Sequence, residues 1–170
     1  MSLLSSLKTN TFTVTVEHNV PTVRTYAARL DGGVLHILVP EHIALDDRHF
    51  VQTVLPEMIK HFLKSEAKRV LPVRLRALSE QCGLAFNRVT VKDMRSRWGS
   101  CSSRRDIALS IYLMLLPDEL MDAVLIHELC HLREMNHGAG FKSLLKDYVP
   151  DIAEKNRRIK GYAPLIRLFV

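Results

Sequence analysis

The stretch from Ile126 to His137, IHELCHLREMNH, places three histidines inside a segment that otherwise has the pattern of a buried helix. The four residues that begin at Ala123 are all apolar, and Leu129 and Leu132 continue the apolar pattern within the stretch. Burying imidazoles and a carboxylate without partners would cost roughly several kcal/mol. The sequence therefore predicts that these polar groups share a partner, and a metal ion is the natural one.

The spacing of the first two histidines fits this interpretation. His127 and His131 are four residues apart, so on an α-helix their rings lie on one face, about one turn apart. Glu128 is rotated by roughly 100° from that face, where it can act as a base without being a ligand. In this H-E-x-x-H pattern the metal lowers the pKa of a water molecule whose proton the glutamate accepts, which predicts hydrolysis.

A catalytic zinc needs a third protein ligand and an open position. On a continuous helix His137 would lie about 120° off the ligand face, so it can serve only if the helix ends before it. The NHGAG segment makes such an end plausible. Glu134, one turn too far along the same face, and Glu154, on a later helix, are the alternatives. We favour His137, because imidazole is the commoner zinc ligand.

The first quarter of the chain has the alternation of β-strands. Thr11–Val16 alternates, and Val23–Leu30 and Val34–Val39 flank an Asp-Gly-Gly turn, which predicts a small antiparallel sheet with a hairpin. From about Asp46 the apolar residues recur at helical spacing. The pattern predicts an α+β protein with a β-rich subdomain at 1–45 and a catalytic core at 46–170, together forming one compact unit.

The core contains further predicted elements. They are a helical stretch at 46–63 that Pro56 kinks or restarts, and a second helical stretch at 70–82 that ends at Gly83. A strand follows at 89–94, then a hairpin whose turn is 102–106, a long helix opened by Pro117, and two short helices at 141–148 and 152–159.

A second chemically informative stretch precedes the histidines. Gly99 permits close backbone approach, Arg95 and Arg97 are forked donors for an anion, and Trp98 is the chain's one tryptophan. In one interpretation Trp98 fills the core and the arginines are solvated. In the other, this strand lines the cleft and binds substrate, through its backbone or through Arg97.

The RWGSCS segment at 97–102, followed by HELCHLREMNH and then Gly140-Phe141, resembles the YgjP-like metallopeptidase family, related to the SprT-like and WLM zincins. The resemblance implies a zincin-like fold with an antiparallel β-rich N-terminal part and a zinc-bearing helix. It also implies that His127, His131 and His137 bind one Zn²⁺ per chain and that Glu128 is the catalytic base.

Three functions remain open at this point. The first is a zinc-dependent metallopeptidase. The second is a nucleoside triphosphate pyrophosphatase at the same site, with Arg95, Arg97 and either Arg104 or Arg105 around the phosphates. The third is a nucleic-acid-binding module with a structural zinc, and a site with three clear ligands argues against it, because structural sites normally have four.

The composition of the chain bears on its cellular location and on its partners. The 170 residues carry a formal charge of +6, have no apolar run long enough to span a membrane, and contain three widely spaced cysteines without a CxxC pair. The N-terminal segment lacks the apolar core of a signal peptide. We expect a cytoplasmic protein with reduced thiols, no membrane partner, and a polypeptide or nucleotide substrate, while charge alone supports nucleic acid only weakly.

Overall fold

A computed structural model describes residues 3–169 of the chain. Its first sheet contains β1 (Thr13–Glu17), β2 (Ala27–Asp31) and β3 (Val34–Leu38), in the order β1-β3-β2. The β2–β3 hairpin is antiparallel and turns at Gly32 and Gly33, whose φ angles of 53° and 79° suit glycine. The hairpin predicted at this turn is confirmed.

The first strand departs from the expected antiparallel pattern. β1 pairs parallel with β3, with Thr13 opposite Val34 and Glu17 opposite Leu38, so the sheet is mixed. The cause is the connection from β1 to β2, which contains Pro21 and a left-handed Asn19 and returns the chain so that β1 and β3 run in the same direction. β2 also begins at Ala27, four residues after the predicted Val23.

One long helix, α1 (Leu55–Cys82), replaces the two helical stretches predicted from the sequence. A π-helical turn at Phe50–Val54 precedes it, and Pro56 occupies its first turn, where the missing N–H is tolerated. Gly83 ends the helix with a φ of 64°, as predicted. Buried residues recur every four positions along one stripe: Leu55, Ile59, Leu63, Ala67, Leu71, Leu75 and Ser79.

The second sheet contains β4 (Arg88–Lys92), β5 (Gly99–Cys101) and β6 (Asp106–Ser110), in the order β4-β6-β5. β5 and β6 form the antiparallel hairpin predicted around 102–106, whereas β4 runs parallel to β6. β5 is therefore an edge strand. It also contacts the helix that follows the sheet.

That helix is α2 (Asp118–Cys130), preceded by the predicted Pro117. Two more helices follow, α3 (Ala139–Tyr148) and α4 (Ile152–Ile166), the second seven residues longer than predicted. The predicted α+β fold with an HExxH-bearing helix is confirmed.

Buried residues of β1, β3, α1, α2 and β6 belong to one hydrophobic cluster. The subdomain boundary near residue 45 remains a prediction. Within residues 3–169, no helix combines the length and the apolar character that crossing a bilayer would require.

Candidate metal centre

The end of α2 determines where His137 lies. Residues 132–134 close short turns, with the Arg133 and Glu134 amides donating to the Cys130 carbonyl at 3.1 and 2.9 Å. These turns stop the helix at Cys130 and redirect the chain before α3 begins at Ala139. Since His137 lies in the connecting segment, the condition that the helix must end before it is met.

The three histidines converge. Ring centroids lie 5.0 Å apart for His127 and His131, 5.2 Å for His127 and His137, and 4.6 Å for His131 and His137. The Nε2 atoms of His127 and His137 are 3.2 Å apart, and the ligating atoms of all three rings lie within 4.8 Å of one another. Within residues 3–169, these three histidines are the one set of three or more histidine, cysteine or acidic side chains close enough to hold a metal ion.

The backbone orients one of these rings. His131 Nδ1 lies 3.0 Å from the Glu134 carbonyl oxygen. A carbonyl can only accept, so Nδ1 carries the proton and Nε2 remains free to bind a metal. Glu134 contributes this carbonyl rather than its carboxylate, which packs against Gly140, where an added Cβ would lie 3.1 Å from Oε2.

Phe141 forms a shared apolar contact for the cluster. Its ring centroid lies 4.8 Å from His127, 4.5 Å from His131 and 4.8 Å from His137, and it is stacked on the His131 ring. The side chain is 2% exposed. Phe141 therefore limits the movement of all three rings. Its position after Gly140 was part of the family resemblance, but nothing in the sequence marked it as a site residue.

Burial keeps the inner histidines neutral. It lowers the pKa of His127 to about 4, with further lowering by His131 and His137, and it also lowers the pKa of His131. Neutral imidazole is the form that binds metal. Nitrogens bound to one zinc ion lie about 3.4 Å apart, close to the 3.2 Å between His127 and His137, so the cluster fits a metal after a ring movement of about 1 Å.

Glu128 lies beside the cluster and against β5. A Cβ built on Gly99 would lie 2.8 Å from both Cγ and Oε1 of Glu128, so the carboxyl group occupies the space that any other residue at position 99 would fill. Burial raises the pKa of Glu128 to about 7, partly offset by the positive charge of Arg97. The carboxyl group is therefore poised to exchange a proton near neutral pH.

Two cavities meet at this carboxyl group. One, of about 250 Å³, is lined by the three histidines together with Ser100, Cys101 and Met135. The other, of about 270 Å³, is lined by Arg97, Trp98 and residues of α2 and α4. Gly99, His127 and Glu128 line both cavities, so they stand at the border between them.

The model of the YgjP-like metallopeptidase domain matches residues 37–162. The chain belongs to the YgjP-like metallopeptidase family. Membership in a metallopeptidase family supports a metal-dependent hydrolase, and the histidine cluster is a set of side chains able to hold the metal. No curated protein matches the chain.

Two solved structures are similar in part to this member of the YgjP-like family. They are the metallopeptidase zymogens abylysin of Pyrococcus abyssi and jannalysin of Methanocaldococcus jannaschii. For abylysin the identity is 22%, the TM-score 0.49, and the match covers 54% of this chain and 93% of the other. For jannalysin the identity is 21%, the TM-score 0.46, and the coverage 53% and 93%.

The other candidate site residues from the sequence lie at different distances from the histidine cluster. Arg97, Trp98 and Gly99 line the cavity beside Glu128, whereas Arg95 lies 3.6 Å from Asp93 and lines neither cavity. A role of Arg95 in substrate binding therefore stays a prediction. Glu154 is exposed on α4 and interacts with Arg158, away from the histidines.

Sequence reasoning missed the α4 contribution to this cavity. Asn156 and Ile159 of α4 line it beside Ala123 and Val124 of α2. No local signal marks Asn156, because its proximity to the site depends on how α4 packs against α2.

Proposed function

We propose that the protein is a zinc-dependent peptidase in which His127, His131 and His137 hold one Zn²⁺ and Glu128 is the general base. The observation that carries the proposal is the position of the Glu128 carboxyl group, buried against Gly99 at the border of the histidine-lined cavity. A zinc ion held by three imidazoles keeps an open position, lowers the pKa of water and polarises a carbonyl group.

Three residues would have separate roles in the proposed reaction. Glu128 accepts the proton of the attacking water and can return it to the departing amine, a task that suits a carboxyl group whose pKa is raised to about 7. The Glu134 carbonyl fixes the orientation of His131, and Phe141 fixes the positions of the rings.

The edge strand offers a platform for a polypeptide. β5 pairs with β6 on one side, and its outer edge has no partner strand among residues 3–169. All three residues of β5 are partly exposed, and all three line the histidine cavity. An extended substrate that pairs with this edge would lie alongside Glu128.

The pyrophosphatase alternative has less support in this geometry. A triphosphate needs several cations around it, yet Arg97 is the one arginine that lines either cavity. Arg105 binds the Ala85 carbonyl, and Arg95 faces Asp93. On α4, the basic residue Arg158 is likewise engaged, because it pairs with Glu119.

The test is a mass-spectrometric turnover screen of the zinc-loaded protein beside Glu128→Gln. Both are incubated with a mixed pool of unfolded polypeptides and nucleoside triphosphates. New peptides from the wild type alone, with equal zinc content in the two proteins, are the expected result. Nucleoside monophosphate and pyrophosphate from the wild type alone would replace the peptidase with the alternative, and loss of zinc in Glu128→Gln would contradict the role of Glu128 as a base.

A further inference from the structure

The cavity that Arg97 lines is separate from the histidine cavity, but Gly99, His127 and Glu128 line both cavities. Its volume of about 270 Å³ is below the roughly 300–1,000 Å³ typical of sites for whole drug-sized molecules. It is therefore the size of a site for one side chain or chain end. A substrate lying across Gly99 with its reacting carbonyl group near the histidines would place a neighbouring group in this cavity.

The wall of the cavity is apolar on one side and polar on the other. Ala123, Val124 and Ile159 are buried and form the apolar side, with exposures of 2, 7 and 6%. Arg97, in the segment before β5, and Asn156, on α4, are exposed side chains that supply N–H donors. A short aliphatic stem that ends in an acceptor matches this combination.

The guanidinium group of Arg97 is free to take a ligand. Among residues 3–169 neither Arg97 nor Asn156 makes a side-chain hydrogen bond or an ion pair, whereas Arg74, Arg69 and Arg158 all bind carboxylates. The described interaction of Arg97 is its electrostatic effect on Glu128. The cation is therefore close enough to the base to act on a group near the cleaved bond.

A carboxylate is the chemistry that this arrangement recognises. Arginine presents two parallel donors that match the two oxygens of a carboxylate, and the carboxamide of Asn156 can add a third. We propose that the cavity formed by Arg97, Asn156, Ala123, Val124 and Ile159 is a specificity subsite for a substrate carboxylate close to the cleaved bond. The carboxylate comes from an aspartate or glutamate side chain or from the C-terminus of the substrate, and this inference rests on the proposed peptidase function.

The experiment uses the zinc-loaded full chain and a pool of short randomised peptides, prepared once with free and once with amidated C-termini. Cleavage positions are mapped by mass spectrometry for the wild type, Arg97→Gln and Arg76→Gln. Arg76→Gln is the matched control, because it removes an exposed arginine of α1 that lines neither cavity. Zinc content is measured for every protein, so that a damaged metal site is distinguished from altered specificity.

Enrichment of acidic residues at one position beside the cut, reduced roughly tenfold or more in Arg97→Gln and kept in Arg76→Gln, supports the side-chain source. Cuts close to a free C-terminus that disappear on amidation support the C-terminal source. In both cases Arg97→Glu should shift the preference toward basic or amidated substrates. Cleavage without either preference, or a preference that survives in Arg97→Gln, overturns the subsite while leaving the peptidase intact. Absence of cleavage by the wild type overturns both.

Discussion

Gly99 and Glu128 are in direct contact, and the contact leaves no room for a side chain on Gly99. A Cβ at position 99 would lie 2.8 Å from Cγ and Oε1 of Glu128 and 2.9 Å from its Cδ. A Cβ atom essentially never lies this close to another heavy atom, so one of the two groups would have to move. The glycine on the edge strand and the acid on the helix are therefore a matched pair, separated by 29 residues in the chain and joined at the site.

Replacing Gly99 by alanine should displace the Glu128 carboxyl group. We expect kcat to fall by roughly tenfold or more, approaching the factor of about 10²–10⁴ that a general base contributes, with unchanged zinc content. The added methyl group should also cost about 1–3 kcal/mol of unfolding free energy. Peptide turnover, zinc content and urea denaturation check these expectations.

Gly161→Ala is the control for that substitution. Gly161 lies within α4, and an added Cβ there meets no atom within 4 Å. Turnover should remain at the wild-type level and stability should rise slightly, since alanine favours the helix. Equal turnover in Gly99→Ala and Gly161→Ala would show that the contact with Glu128 has no catalytic consequence.

The third metal ligand can be assigned by metal affinity alone. His137→Ala removes one of three converging imidazoles, so zinc affinity should fall by more than the roughly 10- to 100-fold that loss of an outer partner causes. Glu154→Gln is the matched comparison, because Glu154 is the other candidate from the sequence and lies outside the cluster. Competition with a chromogenic chelator measures the zinc affinity of both variants. The reverse ranking of the two variants would transfer the role to Glu154.

Local patterns predicted what local geometry determines. Four-residue spacing places His127 and His131 on one helix face, and the Gly32-Gly33 pair determines a hairpin, whatever surrounds them. Neither depends on distant parts of the chain. The same spacing predicted Glu128 as the base and favoured His137 over Glu134 and Glu154 as the third ligand, and the family resemblance implies the same roles.

Long-range packing decided the features that the sequence did not predict. The parallel pairing of β1 with β3 depends on the path of residues 18–26, and α1 runs unbroken from Leu55 to Cys82, with Ala67 buried between the two helical stretches predicted from the sequence. Asn156 reaches its cavity because α4 packs against α2. Periodicity carries no information about such contacts between elements.

Cavity size would not have found the site either. Surface clefts of about 470 and 630 Å³ lie elsewhere, the first beside Phe50 and the second beside Val73 and Arg74. Both exceed the two cavities at Glu128, yet neither is lined by any of the clustered histidines. The chemistry of the side chains, rather than volume, identifies the centre.

Phe141 should affect the metal site more than an equally buried neighbour does. In Phe141→Leu the smaller side chain loses contacts with all three imidazole rings, so zinc affinity should fall by about tenfold. Leu145→Val is the control, because Leu145 belongs to the same buried cluster but lines neither of the two cavities at Glu128. Both variants should lose about 1 kcal/mol of stability. Equal zinc affinities in the two variants would limit Phe141 to a packing role.

The metal-free protein should show a pH signature of the buried Glu128. Burial raises its pKa to about 7 from an ordinary value of 4.5, while Arg97 opposes the rise. Between these pH values the unfolded chain has released a proton that the folded chain still holds, so the free energy of unfolding should decrease as pH increases. The decrease should be at most about 3 kcal/mol across the window.

Glu128→Gln isolates this effect, because glutamine does not titrate. The lowered pKa of His127, which makes stability rise between about pH 4 and 6.5, is present in both proteins and cancels in the comparison. Urea denaturation of the wild type and Glu128→Gln, in the presence of a chelator at a series of pH values, gives the difference between their free energies of unfolding. We expect the wild type to lose stability relative to Glu128→Gln as pH rises from 4.5 to 7. Parallel stability curves would mean that the folded protein holds the carboxyl group in a solvated position, away from Gly99.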